Sequence, residues 1–170
     1  GQVEAPADGE YAPDSSHPEL NAKAIAQRSG VSRGASWHAT AVAQYGFGAL
    51  SSIAPGIATI QAFEANHWLG SGFLNGAGSL PPLTAGVRIF NHSWIGHAGP
   101  ANNQLLRKLD AAIDAQGLVM CAGVNNGNGP LDVALLSHAF NAIAVGRSDG
   151  SHRAGATALD IDGPGRMKPE

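Results

Sequence analysis

Apolar positions along this chain recur in two periods, and the periods predict its elements. From Ser36 to Leu50, "SWHATAVAQYGFGAL", Ala39, Val42, Ala43 and Gly46 return at three- and four-residue spacing, which predicts a helix whose contact stripe carries almost no bulk. Such a stripe lets another element approach the backbone closely. A second helix is predicted over "ANNQLLRKLDAAIDAQG", where Leu105, Leu106, Leu109, Ala112 and Ile113 form one apolar face and Gly117 supplies a left-handed stop. Four short apolar runs read as buried strands: "GIATIQAF" (56–63), "VRIFNHS" (87–93), "LVMCAG" (118–123) and "NAIAVG" (141–146). Residues 1–35, broken by Pro6, Pro13 and Pro18, read as loop with room for one short edge strand. The Gly-rich residues 64–86 read as a long surface loop with room for a helical part, and the last residues, from Arg147, as loop again.

A helix that closes on Gly117 and feeds an uninterrupted apolar strand is the pattern of a parallel α/β sheet covered on both faces. Sites in such sheets gather at the carboxyl ends of the strands, so the loops after Phe90, Cys121 and Gly146 matter most. The loop "GVNNGNGP" (123–130) stacks Asn and Gly where amides can point at a ligand, although the same residues suit an ordinary Asn-Gly turn.

Composition narrows the function. The 170 residues have the length of one domain, with 44% hydrophobic but only 14% charged residues, 23 Gly and 10 Pro. A net charge of −3 and the lack of a basic cluster argue against nucleic acid as a partner. No apolar run approaches the ~18 residues of a membrane span, and Cys121, the single cysteine, has no internal disulfide partner. His92 and His97 are five positions apart, a spacing that suits a shared metal on neither helix nor strand, and no metal site is expected. The first residue, Gly rather than Met, is expected to be a processing or cloning product.

His38 opens the first helix. Unpaired N–H groups and the dipole of a first turn disfavour a cation there, and a neutral imidazole accepts a proton near pH 7. A histidine in that position is a candidate general base, although most histidines in such domains are solvated or satisfied by a backbone partner.

Seven short segments then stand in an order that resembles the subtilisin-like serine proteases, the subtilases. "DSSHPELN" (14–21) resembles the segment after that family's catalytic aspartate, and "HATAVA" (38–43) its HGTxVA motif around the catalytic histidine. "IAPGI" (53–57) resembles the VAPxA that leads into the next strand, and "NHSWIG" (91–96) the NxSxG strand end that holds substrate backbone. "CAGVNNG" (121–127) is similar to the AAGNxG loop with the oxyanion-hole asparagine. "AIAVGRSDG" (142–150) and "GPGRMKPE" (163–170) match the strand and the GPxxxGRxKPD loop that precede the nucleophile.

The resemblance implies a three-layer α/β fold with a mostly parallel central sheet, residues 1–170 forming one partial peptidase domain that lacks its C-terminal part. It implies a serine endopeptidase acting on a peptide or protein substrate, a secreted, extracellular location, and no cofactor beyond the calcium that family members often bind. His38 takes the role of the catalytic base. For the acid that orients it, Glu10 stands seven positions before His17, where the motif would place the aspartate, and Asp8 two positions earlier; Glu4 ranks third. A one-residue insertion at Val124 makes Asn125 the oxyanion donor. Ser93, Trp94 and Gly96 on one side and Cys121, Ala122 and Gly123 on the other would flank the peptide. The family's nucleophile lies in a GTSxA segment that these 170 residues do not contain, so this chain alone is expected to be inactive and to self-associate through apolar surface left uncovered on the helix at 36–50, Val42 and the small-residue stripe included, and on one edge of the sheet. The alternative is a subtilase-fold module that binds peptides or assembles without catalysis.

Overall fold

The computed structural model describes residues 1–7, 9–96, 102–124 and 135–146. Six strands form one sheet: β1 (Gln2–Glu4), β2 (Ala24–Gln27), β3 (Thr59–Glu64), β4 (Ile89–His92), β5 (Val119–Gly123) and β6 (Ile143–Val145). Every pairing is parallel and the order is β2-β3-β1-β4-β5-β6. Among the described residues α1 (Trp37–Phe47), α2 (Ala65–His67) and α3 (Asn103–Gln116) accompany them. The expected α/β class with a parallel sheet is present.

The one short edge strand allowed for within residues 1–35 is β2, which ends the sheet, but the same stretch also holds β1, a central strand that its sequence does not show. The three residues of β1 are all buried, because β3 and β4 pair with it on either side. Three residues are too few to show a period in sequence; the neighbouring strands define the element. Within residues 64–86 the helical part that the sequence allowed is α2 and a π-helical turn at Trp68–Gly72, but the stretch is not all surface. Trp68, Phe73 and Leu74 from this stretch are buried in the largest core cluster, the Trp68 and Phe73 rings stacked at 4.9 Å.

Alternation along the strands assigns the two faces. Val3, Phe63, Phe90, Met120 and Ala122 point to one side, where Leu109, Ala112 and Ile113 of α3 complete the core. Gln2, Glu4, Ile60 and Ala62 point to the other, where Ala43 of α1 packs with Leu20 and Ile60. The small-residue stripe therefore does let α1 lie close to the sheet: Ala39 and Ala43 are fully buried, and the Gln2 amide reaches the Ala39 carbonyl at 2.8 Å. Gly46, on the same stripe, has open space beside it.

Local chemistry sets the helix ends. Ser36, in extended backbone, accepts the Ala39 N–H on its hydroxyl and caps α1. Gly117 closes α3 in the left-handed conformation, with φ 60° and ψ 45°, as its position predicts.

Among the described residues β5 and β6 are covered on the α3 face only, where the pattern of their sequences predicts cover on both. On the α1 side Ile89, Val119, Ile143 and Val145 are 56%, 42%, 42% and 51% exposed, since α1 covers only the β1, β3 and β2 half of that face.

Candidate active site

The first turn of α1 and the end of β1 bring an acid and a base together. His38 Nδ1 stands 2.9 Å from Glu4 Oε2, the carboxylate being 1% exposed and the imidazole 39%. Glu4 reaches this position because it ends a central strand, on the face turned to α1. Its other oxygen, Oε1, accepts from the Gln2 side-chain amide at 3.0 Å, and the same amide donates to the Ala39 carbonyl at 2.8 Å. Gln2 thus ties the carboxylate to the helix that carries the histidine. The edge of the imidazole meets the neighbouring Trp37 ring, centroids 5.5 Å apart and planes at 89°.

Burial pushes the Glu4 carboxyl above its usual range, against the pull of the Gln2 N–H and then of His38. With the carboxylate as acceptor, the imidazole holds its proton on Nδ1, and Nε2 presents a lone pair. Among the described residues no hydrogen bond occupies that nitrogen.

Of the expected acids, the third-ranked one is the partner. Glu10 is turned elsewhere: its carboxylate accepts from the Ser32 hydroxyl, and this bond, with backbone donors at Gly34 and Arg33, holds it below its usual range. Counting back from "DSSHPEL" assumed a loop length that the chain does not keep. The signal that marks Glu4 is its place, two residues after another polar residue, in a short strand that ends before Pro6. Asp8 and Asn125 lie outside the described residues.

An open cleft of about 330 Å³ adjoins the histidine, lined by His38, Val42, Ser93, Trp94, Ile95, Gly123, Val124, Val145 and Gly146. The ends of β4, β5 and β6 thus meet the start of α1, at the carboxyl edge of the sheet. Ser93, Trp94 and Gly123 stand in this lining as expected. Ala122 does not: it is 2% exposed and its side chain faces the α3 core. Cys121 faces the α1 side of β5 between Asn91 and Ile143, and Gly96 acts behind the wall, where a Cβ would stand 3.0 Å from Trp94 Cζ3. Burial pushes the Cys121 thiol up, which makes it a poor nucleophile. Val42, Val124 and Val145 were not foreseen as lining residues.

Among the described residues no group of three or more His, Cys, Asp or Glu side chains is placed to hold a metal ion, and no helix is long and apolar enough to cross a membrane. No protein-family model matches the chain, and no curated protein matches it.

Proposed function

We propose that this chain carries the acid and base of a subtilisin-like serine endopeptidase site, with Glu4 in the orienting role. One observation carries the reading: a buried carboxylate at the end of a central parallel strand is bonded to Nδ1 of a helix-initial histidine that lines an open cleft. With Nδ1 committed to Glu4, Nε2 takes the proton of a serine hydroxyl as its oxygen attacks the peptide carbonyl carbon. It then delivers that proton to the departing amine as the carbon–nitrogen bond breaks. Glu4 fixes the tautomer and steadies the imidazolium that forms between these steps. The nucleophile belongs to a GTSxA-like segment outside these residues, and Asn125 donates to the oxyanion. The peptide lies in the cleft between Ser93 and Gly123, held largely by backbone. Secretion and a calcium site belong to the same reading.

The test is hydrolysis of peptide p-nitroanilides by this chain together with the sequence that adjoins it in the natural protein. Activity that is lost on His38→Ala and on Glu4→Ala supports the reading; full activity in His38→Ala ends it. The 170 residues alone are expected neither to hydrolyse these substrates nor to react with a fluorophosphonate. The vacant Nε2 also fits a second reading, a module that binds peptides without cleaving them. That reading gains if the longer protein binds peptides and resists the fluorophosphonate.

A further inference from the structure

Directly behind the cleft, a buried histidine outside the acid–base pair holds one of its walls. His92 is 1% exposed on the α3 side of β4, among Phe90, Trp68 and Ala122. An apolar side chain would suit that place. Instead Nδ1 takes the indole N–H of Trp94 at 3.1 Å, and since indole nitrogen only donates, Nδ1 is the bare nitrogen. The ring proton therefore sits on Nε2, which is buried with no oxygen or nitrogen partner among the described residues. The Trp68 ring, at 4.5 Å between centroids and 75° between planes, is its neighbour. A buried donor without an acceptor costs about 1–3 kcal/mol, so this position carries a polar ring at the expense of the core.

We propose that His92 is a positioning residue that fixes the Trp94 indole as a rigid wall of the cleft, and that this wall selects the peptide side chain bound beside His38 by its shape. The selection rests on the peptidase reading above; the fixed indole does not. Three observations converge on the indole. It lines the cleft with His38, its nitrogen is held by His92, and its far edge lies close over Gly96, where an added Cβ would stand 3.0 Å from Cζ3. Gly96 is itself anchored, its carbonyl accepting the Leu135 N–H at 2.8 Å. Burial pulls the His92 pKa down to about 3, so Nδ1 is an acceptor at neutral pH. The device is a lock and not a switch. Val42, Ile95, Val124 and Val145 make the remaining walls apolar, and a flat ring held among them accepts a flat side chain better than a small one.

The experiment compares the 170-residue chain with His92→Leu, which removes the acceptor, and His92→Asn, whose carbonyl oxygen can stand near Nδ1. The Trp94 indole N–H resonance, assigned with Trp94→Phe, is expected to exchange slowly in the parent and in His92→Asn and rapidly in His92→Leu. In the parent, ¹⁵N shifts should show His92 protonated on Nε2 alone. NMR titration with acetyl-Ala-Ala-Pro-Phe-amide and its Ala-terminated counterpart then reads selectivity. The preference for Phe should fall by about two- to tenfold in His92→Leu, the worth of one aromatic contact. A freely exchanging Trp94 N–H in the parent overturns the lock, and needs no variant to fold. Both peptides binding with an unchanged ratio in His92→Leu overturns the selection alone. A protected indole with neither peptide bound overturns the peptide site and the selection assigned to it together.

Discussion

Gln2 donates one N–H of its amide to Glu4 Oε1 at 3.0 Å and the other to the Ala39 carbonyl at 2.8 Å, a bridge from the central strand to the helix that carries His38. Strand alternation puts residues 2 and 4 on one face, so the same three-residue element supplies the acid and the group that holds it. A buried carboxylate needs such a donor to stay ionised.

Removing that donor should move a titration. The Gln2 bond lowers the Glu4 pKa against the larger upward effect of burial, so Gln2→Leu raises it further. A protonated Glu4 no longer accepts from Nδ1 with full charge. The downfield Nδ1–H proton resonance of His38 should therefore be lost at a higher pH in Gln2→Leu than in the parent. An identical midpoint in the two proteins would show that Gln2 only fills space.

The charge on Glu4 should cost stability at neutral pH. Its folded-state pKa lies above the unfolded one, so the folded chain binds the proton more tightly. The stability tied to this group is fully present below the unfolded carboxylate pKa and is lost as pH rises through the folded value. Glu4→Gln, which like the protonated carboxyl carries no charge and keeps a single acceptor oxygen, should gain in melting temperature relative to the parent as the pH is raised from 3.5 to 8. Thermal unfolding at the two pH values checks this; a larger benefit at the lower pH has the wrong sign. In a hydrolytically active context the same substitution should lower kcat by about 10⁴-fold, the size seen when a triad acid becomes an amide.

Two positions of one stripe should respond oppositely to added bulk. Ala43 is fully buried against Leu20 and Ile60, and Ala43→Leu should cost about 1–3 kcal/mol through overpacking. Gly46 has nothing within 4 Å of a built Cβ, and Gly46→Ala should gain up to about 1 kcal/mol from helix propensity. Urea unfolding distinguishes them. A destabilised Gly46→Ala would mean that a neighbour covers that site.

The open half of the sheet should make the isolated chain associate. Ile89, Val119, Ile143 and Val145 share the α1 side of three adjacent strands and stay substantially exposed. Light scattering of the 170-residue chain should rise with concentration in the micromolar range, with binding of an apolar dye, and both should fall in a Val119→Lys, Ile143→Lys double variant. A monomer that binds no dye would show that this face is covered in solution.

Much of this architecture is determined by the sequence alone. The period of 3.6 fixes α1 and α3, Ser36 and Gly117 mark where helices start and stop, and the apolar runs after them can pair only as a parallel sheet. His38 at a helix start was legible for the same reason: capping chemistry is local. The partner of His38 was not. Which carboxylate meets its ring depends on where a three-residue strand ends and on how many residues the following loop takes up, and Glu4 wins because pairing with β3 and β4 aims it at α1. The buried roles of Trp68 and His92 and the open half of the sheet were likewise decided by neighbours distant in the chain. Periodicity reports which face a residue takes within its own element; what covers that face is a property of the whole fold.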